Sequence, residues 1–182
     1  MAKFDEKPIL QDAAREGILP APDIREDAAA CVRCYPSKPK DTSKIGLPTE
    51  RLPDWRERGI ARLGELLETN KALRLFMDIC VRCGACADKC QFFLGTGDPQ
   101  NMPVARAELL RSVYRRYFTL GGKLAPGANN AADLTEEMLQ DWYTYFYQCS
   151  ECRRCSVFCP YGIDTAEITA AAREVMCAMG VS

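Results

Sequence analysis

Two stretches decide the fold of this chain: residues 80–90, CVRCGACADKC, and residues 149–160, CSECRRCSVFCP. Both have the spacing C-x2-C-x2-C-x3-C, and the second ends in Pro160, as the bacterial ferredoxin motif does. Three thiolates at this spacing can loop around one iron–sulfur cubane, while the fourth cysteine points away to the other cluster. The repeated motif therefore predicts two [4Fe–4S] clusters that exchange their fourth ligands.

The spacing assigns eight cysteines to the two clusters. Cluster 1 takes Cys80, Cys83, Cys86 and Cys159, and cluster 2 takes Cys149, Cys152, Cys155 and Cys90. The alternative is structural zinc, which is usually held by two separate C-x2-C pairs and fits this spacing poorly. We expect no catalytic residue among these ligands, because a cubane with four cysteine ligands has no open iron.

The composition excludes several classes of function. The chain has 182 residues, 11 cysteines and no histidine, so Ser–His and Cys–His catalysis cannot occur within it. Its formal net charge of −1 gives no indication of a nucleic-acid partner. No run of 18 apolar residues is present, and the first residues lack the apolar core of a secretory signal. We therefore expect a cytoplasmic protein whose cysteines bind metal instead of forming disulfides.

The pattern along the chain divides it into an arm and a domain. Residues 1–55 are rich in proline and charge, which predicts an extended N-terminal arm, either docked or disordered. Residues 56–182 show helical periodicity and no useful strand pattern, which predicts a mainly α, ferredoxin-like domain. Asn70, Thr135 and Asp164 are the expected helix caps, and residues 121–134 are an expected loop.

Three other cysteines stand outside the motifs. Cys31 and Cys34 form one C-x2-C pair in the arm, which could be a redox dithiol, half of a metal site, or two idle thiols. Cys177 on the last helix is expected to be a core thiol and not a ligand. The aromatic residues of the segment 142–147 are likewise expected to pack in the core around a cluster.

Some residues within the motifs are expected to affect the clusters. Arg82, Arg153 and Arg154 would raise the reduction potential of an anionic cluster if they lie close to it, or else be solvated surface charges. Gly84 is expected to let the backbone pass close to a cubane. Gln91 stands where the first motif lacks the expected proline.

Residues 76–172 resemble the two-cluster domain of the heterodisulfide-reductase-type proteins, the HdrC and HdrD group. The stretches GDPQNMPVARAELLRSVYRRYF and CPYGIDTAEI are most similar to the DsrK-type subunits of sulfite-reduction-associated Dsr complexes. The resemblance implies a helical ferredoxin fold and a cytoplasmic position against a membrane cytochrome b-type subunit that exchanges electrons with quinone. It also implies disulfide or trisulfide chemistry on a DsrC-type sulfur carrier protein.

Long members of this family continue into cysteine-rich CCG repeats that hold the catalytic cluster. The sequence reaches Ser182 before any such repeat, so we expect either the first part of a longer protein, which we favour, or a short HdrC-like subunit. In both cases the chain itself is the electron-transfer part of a larger oxidoreductase. Two alternatives remain: the iron–sulfur subunit of a flavin-dependent dehydrogenase of the glycerol-3-phosphate or lactate type, and a protein whose clusters are purely structural.

Overall fold

The computed structural model describes residues 51–181. The predicted arm therefore lies almost wholly outside the described residues, together with Cys31 and Cys34. Within residues 51–181 the structure has no β-strand, which confirms the mainly α fold class. The described helices are α1 (Trp55–Thr69), α2 (Lys71–Ile79), α3 (Gln91–Thr96), α4 (Pro103–Phe118), α5 (Leu120–Leu124), α6 (Glu136–Gln148), α7 (Arg154–Val157) and α8 (Thr165–Met179).

The predicted caps begin the helices that precede the two motifs and the helix that follows the second. The Asn70 side chain accepts a hydrogen bond from the Leu73 amide at 3.1 Å, and Thr135 accepts one from the Met138 amide at 3.2 Å. Asp164 accepts one from the Ala166 amide at 3.0 Å. Such caps satisfy amides that have no partner within the helix. Helices α2 and α6 then end immediately before the first cysteine of each motif.

The core forms around α8, which packs against α1, α4 and α6. Trp142 and Phe146 are fully buried there and meet edge to face, with ring centroids 5.8 Å apart, so this part of the aromatic segment packs in the core as expected. Gly59 permits the close approach of α1 to α8, because a Cβ atom at this position would lie 2.6 Å from the Met179 sulfur. These contacts hold the two halves of the domain together.

One element differs from the expected loop at residues 121–134. The short helix α5 begins at Leu120, because Thr119 caps it by accepting a hydrogen bond from the Gly122 amide at 3.2 Å. The Asn129 side chain then donates to the carbonyl oxygens of Gly121 and Ala125, both at 2.9 Å. Side-chain hydrogen bonds thus offset the low helix propensity of the two glycines. Among residues 51–181, no helix is long and apolar enough to cross a membrane.

Candidate metal centre

Both motif loops use the same unusual backbone conformation around their second cysteine. Arg82 and Gly84, which flank Cys83, have φ angles of 56° and 77°. Glu151 and Arg153, the equivalent residues of the second motif, have φ angles of 53° and 59°. The left-handed region costs a residue with a side chain about 1–2 kcal/mol. The repeat in sequence is therefore also a repeat in backbone shape, and each loop curls around a concave surface.

The first concave surface is a cavity lined by cysteines of both motifs. Three come from the first motif and the fourth is the last cysteine of the second motif: Cys80, Cys83, Cys86 and Cys159. We call this space cavity 1. Val104, Ala107 and Arg111 of α4 complete its wall on the side of the helices.

The second cavity has the reciprocal composition. It is lined by three cysteines of the second motif and the last cysteine of the first: Cys149, Cys152, Cys155 and Cys90. We call this space cavity 2. The two cavities have similar empty volumes, about 410 and about 330 Å³, each including open solvent at its mouth. The structure therefore brings the eight motif cysteines together in the two sets that the spacing predicts, while their ligation of iron remains a prediction.

The two cavities lie on either side of the same helix starts. In the first turn of α4, Pro103 lines cavity 2 and the next residue, Val104, lines cavity 1. In the first turn of α8, Thr165 lines cavity 1 and Ala166 lines cavity 2. Helix N-termini carry a partial positive charge and favour anions. Two helix N-termini are thus placed where they favour negative charge in both cavities.

The thiols nearest these helix starts, those of Cys86 and Cys155, are partly buried. Burial raises the pKa of the Cys86 thiol to about 11, although a hydrogen bond with the Val104 backbone opposes this shift. Burial also raises the pKa of Cys155, against a hydrogen bond with the Thr165 side chain. Both thiols are therefore protonated at neutral pH when no metal is bound, and binding metal must release their protons.

The two motif loops also contact each other directly. Gln91 donates from its side-chain amide to the Ser150 hydroxyl at 3.2 Å. Lys89 lies over the Phe158 ring, 4.8 Å from the ring centroid. The residue that replaces the expected proline in the first motif thus ties it to the second.

Arg173 on α8 was not identified from the sequence. Its guanidinium donates to the Phe146 carbonyl oxygen at 3.2 and 2.7 Å and also to the Cys149 carbonyl oxygen. It forms an ion pair with Glu151 at 2.8 Å. A single side chain therefore holds the end of α6, the first cysteine of the second motif and the left-handed residue two positions later.

A carboxylate on α4 holds the first motif in a comparable way. Glu108 forms ion pairs with Arg82 at 2.6 Å, with Arg111 at 2.8 Å and with Arg115 at 2.5 Å. Burial alone would raise the pKa of Glu108, but the hydrogen bonds from Arg115 and Arg111 outweigh it and lower the pKa to about 2. Of the three motif arginines considered from the sequence, Arg82 is thus fixed beside cavity 1. Arg153 and Arg154 line cavity 2.

Two buried arginines of α4 test whether an anionic group fits these cavities. Arg111 lines cavity 1 and Arg106 lines cavity 2, and each is only 1% exposed. The Nε and Nη2 atoms of Arg111 and the Nε atom of Arg106 have no hydrogen-bond partner in the described part of the chain. Buried donors without acceptors are rare and costly. An anionic group rich in sulfur acceptors and held by four thiolates fits both cavities.

The remaining cysteine among residues 51–181 takes no part in either cavity. Cys177 is partly buried on α8 and forms a hydrogen bond with Tyr147, and burial is the main cause that raises its pKa. This placement agrees with the expectation of a packing thiol. Within residues 51–181, no three Cys, Asp or Glu side chains lie close enough to share a single metal ion. The motif cysteines instead surround the two larger spaces.

Comparison with known proteins agrees with this geometry. The family model of the 4Fe-4S dicluster domain matches residues 76–163, which contain both motifs. The chain holds two [4Fe–4S] clusters. No solved structure matches it significantly.

The relatives are subunits of larger redox enzymes. The chain is 57% identical, over 133 residues, to the Hdr-like menaquinol oxidoreductase iron-sulfur subunit 2 of Archaeoglobus fulgidus, and 56% identical to the corresponding iron-sulfur subunit of Archaeoglobus profundus. These matches cover 72% of this chain and 24% of each relative. The chain is also 27% identical, over 105 residues, to the HdrD polypeptide of the dihydromethanophenazine:CoB–CoM heterodisulfide reductase of Methanosarcina barkeri, covering 58% of this chain and 25% of the relative.

The chain thus spans about a quarter of the length of the curated relatives that it matches. The part that the family model matches, residues 76–163, carries the two cysteine motifs. The resemblance supports an iron–sulfur electron-transfer role of the heterodisulfide-reductase-like type for this region.

Proposed function

We propose that this chain relays electrons between a membrane cytochrome b-type subunit, which exchanges electrons with quinone, and a site that reduces disulfides or trisulfides. In this proposal it is the two-cluster region of a DsrK-type subunit. It lies at the cytoplasmic face of the membrane through its partners, and a DsrC-type sulfur carrier is the substrate of the complete protein. The observation that supports it best is the pair of adjacent cavities, each lined by four cysteines.

In this proposal the cysteines that line each cavity are its ligands. Cys80, Cys83, Cys86 and Cys159 hold one [4Fe–4S] cluster, and Cys90, Cys149, Cys152 and Cys155 hold the other. Each cluster, when bound, accepts or gives up one electron at a time. Cys83 and Cys152 are exposed, so each site has one ligand at the protein surface where a partner can approach. The polypeptide thus provides two separate surface points for exchange of electrons around one shared core.

The menaquinol and heterodisulfide names of the relatives support the partners that we propose. Such a module needs a quinol-linked subunit on one side and a two-electron site on the other, because a disulfide accepts two electrons. We propose that residues 1–55 form an arm that docks on one of these partners. Cys31 and Cys34 belong to that arm, and the three roles considered for them are a redox dithiol, half of a metal site and two idle thiols.

The first test is the metal content and redox activity of the purified, anaerobically reconstituted chain. We expect eight irons and eight sulfides per chain, reversible reduction, and paramagnetic signals from two interacting clusters. Four irons, or stoichiometric zinc, would contradict the assignment of ligands. Clusters that cannot be reduced reversibly would indicate a purely structural role.

The second test identifies the electron donor. The tagged chain is bound to membranes of its native host, menaquinol is added, and haem b and cluster spectra are followed together. We expect haem b to be reduced first and the clusters to follow. If the clusters are instead reduced only through a captured flavoprotein, with its flavin spectrum, the flavin-dehydrogenase alternative is supported and our proposal is wrong.

A further inference from the structure

Helix α4 presents one buried arginine to each cavity. Arg106 lines cavity 2 and Arg111 lines cavity 1. They are five positions apart, so at about 100° per residue their side chains leave the helix in directions about 140° apart. Both belong to the buried face of α4, and each is 1% exposed.

Each guanidinium is fixed on one side and has free donors on the other. The Arg111 Nη1 atom donates to Glu108 at 2.8 Å, whereas its Nε and Nη2 atoms have no partner among the described residues. The Arg106 Nη2 atom donates to the carbonyl oxygen of Asn101 at 3.2 Å and to its side-chain oxygen at 3.1 Å, whereas Nε has no partner there. Burial of a cationic side chain with unpaired N–H groups is costly, which indicates that another acceptor completes the site.

The described walls of the cavities supply no such acceptor to these atoms. What remains in each cavity is the space between four cysteine sulfurs. We propose that Arg111 donates N–H hydrogen bonds to the sulfur atoms of the cluster in cavity 1, that Arg106 does so in cavity 2, and that each arginine thereby raises the reduction potential of its own cluster. This inference rests on the proposed binding of the clusters but not on the proposed partners. Arg106 and Arg111 are positioning residues that tune the clusters and are not ligands.

The surroundings of the two arginines also order the clusters. Arg111 pairs with Glu108, a carboxylate that it shares with Arg82 on the same cavity and with Arg115. Among residues 51–181, Arg106 is held by the neutral groups of Asn101 and by no acidic side chain. Cavity 2 is lined in addition by three cationic side chains, Lys89, Arg153 and Arg154, and by one acidic side chain, Glu151. Lys89 pairs with Asp88, Arg153 with Asp164 and Glu151 with Arg173, so that Arg106 and Arg154 are the two cations of this cavity without an acidic partner among residues 51–181. A cluster becomes more negative on reduction, so the cluster in cavity 2 has the higher reduction potential of the two.

The test is a redox titration of the reconstituted chain, followed by electron paramagnetic resonance, for the wild type and the variants Arg106→Gln and Arg111→Gln. We expect each variant to retain eight irons and to lower one midpoint only. Arg106→Gln should lower the higher midpoint and Arg111→Gln the lower one. Each should change the reduction equilibrium of its cluster at least tenfold, which corresponds to ~59 mV for one electron.

The matched control is Arg115→Gln. Arg115 lies one turn beyond Arg111, shares the same Glu108 partner and lines neither cavity, so its loss should move neither midpoint comparably. If a glutamine variant loses iron, the lysine variant at the same position replaces it. Lysine keeps the charge but not the planar set of donors. We therefore expect the lysine variant to lower the same midpoint by less than is expected of the glutamine variant.

The remaining outcomes overturn the inference. Unchanged midpoints with eight irons would show that the arginines do not tune the clusters, although the proposed electron-transfer function would stand. The inference is also wrong if both variants move the same midpoint or if Arg115→Gln has an equal effect. It is wrong as well if Arg106→Gln lowers the lower midpoint and Arg111→Gln the higher one. Loss of iron from both the glutamine and the lysine variants would also count against it, because a residue that only tunes a cluster is not needed to assemble it. A wild-type chain without eight irons would instead contradict the proposed function.

Discussion

Arg173 donates a hydrogen bond from its Nη2 atom to the main-chain carbonyl oxygen of Cys149, the first cysteine of the second motif. The last turn of a helix leaves carbonyl oxygens without partners, and Arg173 binds that of Phe146 at the end of α6 as well. The final helix of the domain therefore sets the point from which the second cysteine loop departs.

Replacing Arg173 by alanine should destabilise the second motif more than the first. Loss of charged hydrogen bonds to partly buried carbonyl oxygens should cost about 3 kcal/mol. We expect Arg173→Ala to lose iron mainly from cavity 2, measured by iron content and by the loss of one of the two cluster signals. The control is Arg62→Ala, which breaks exposed ion pairs with Glu65 and Glu174 and should cost much less stability, because exposed ion pairs contribute little. Equal effects of the two variants would contradict this role of Arg173.

The exchange of the fourth cysteines can be tested by removing them singly. Cys90→Ala should damage the cluster held by Cys149, Cys152 and Cys155, because Cys90 lines their cavity and not that of its own motif. Cys159→Ala should damage the other cluster. Single-crystal diffraction or separate spectroscopic signals would show which cluster is lost. Cys177→Ala, which lies outside both cavities, should retain eight irons. Loss of the first-motif cluster from Cys90→Ala would show that the ligands are not exchanged.

The left-handed residues after the second cysteine of each motif predict opposite effects of two substitutions. Gly84→Ala should lower the stability of the loaded protein by at least about 1 kcal/mol, because φ is 77°, although no described protein atom lies within 4 Å of the position of a Cβ atom there. Arg153→Gly should raise it by about 0.5 kcal/mol, since the residue has a φ of 59° and its side chain is exposed in a long ion pair with Asp164, at 3.5 Å.

Melting temperatures of the loaded proteins measure both changes. Gly127→Ala is the control, since a Cβ atom at this position would also meet open space and the backbone there is not left-handed. A fall in melting temperature for Arg153→Gly would mean that its side chain contributes more than its backbone conformation costs.

Glu108 should stabilise the protein equally at every pH at which the clusters survive. Its pKa in the folded protein is about 2, below the ordinary value of about 4.3. A lowered pKa gives stability that is fully present above the unfolded value and is lost only as the pH falls toward about 2. Glu108→Gln should therefore cost about 3 kcal/mol, and this difference should stay constant between pH 8 and pH 5. A difference that shrinks between pH 7 and pH 5 in denaturation experiments would contradict the low pKa.

Much of the site follows from local rules that are visible in the sequence. The spacing of the motifs gives the two sets of four cysteines that line the cavities, and Asn70, Thr135 and Asp164 cap their helices because short polar side chains satisfy free amides. Thr119 caps α5 by the same rule, but the two glycines that follow it led us to expect a loop there. The mainly α fold class can also be predicted from local sequence, because the apolar residues of each helix recur with the helical period.

The charged residues that hold the loops could not be identified in this way. Arg173 contacts carbonyl oxygens more than 20 residues away, and no local pattern encodes such a contact. Arg106 and Arg111 did leave a signal. Arg106 lies on the same helical stripe as Leu110 and Val113, and Arg111 on that of Ala107 and Tyr114. A cation on an apolar stripe indicates a buried charge, and a buried charge needs a partner.

The position of Cys159 in the wall of cavity 1 has a consequence for synthesis of the protein. A ribosome adds about 5–20 residues per second, and Cys159 follows Cys90 by about 70 residues. For several seconds the nascent chain therefore displays the first motif as thiols without their fourth partner. Cluster insertion at this site can be completed only when translation has passed both motifs, and until then those thiols must be kept reduced.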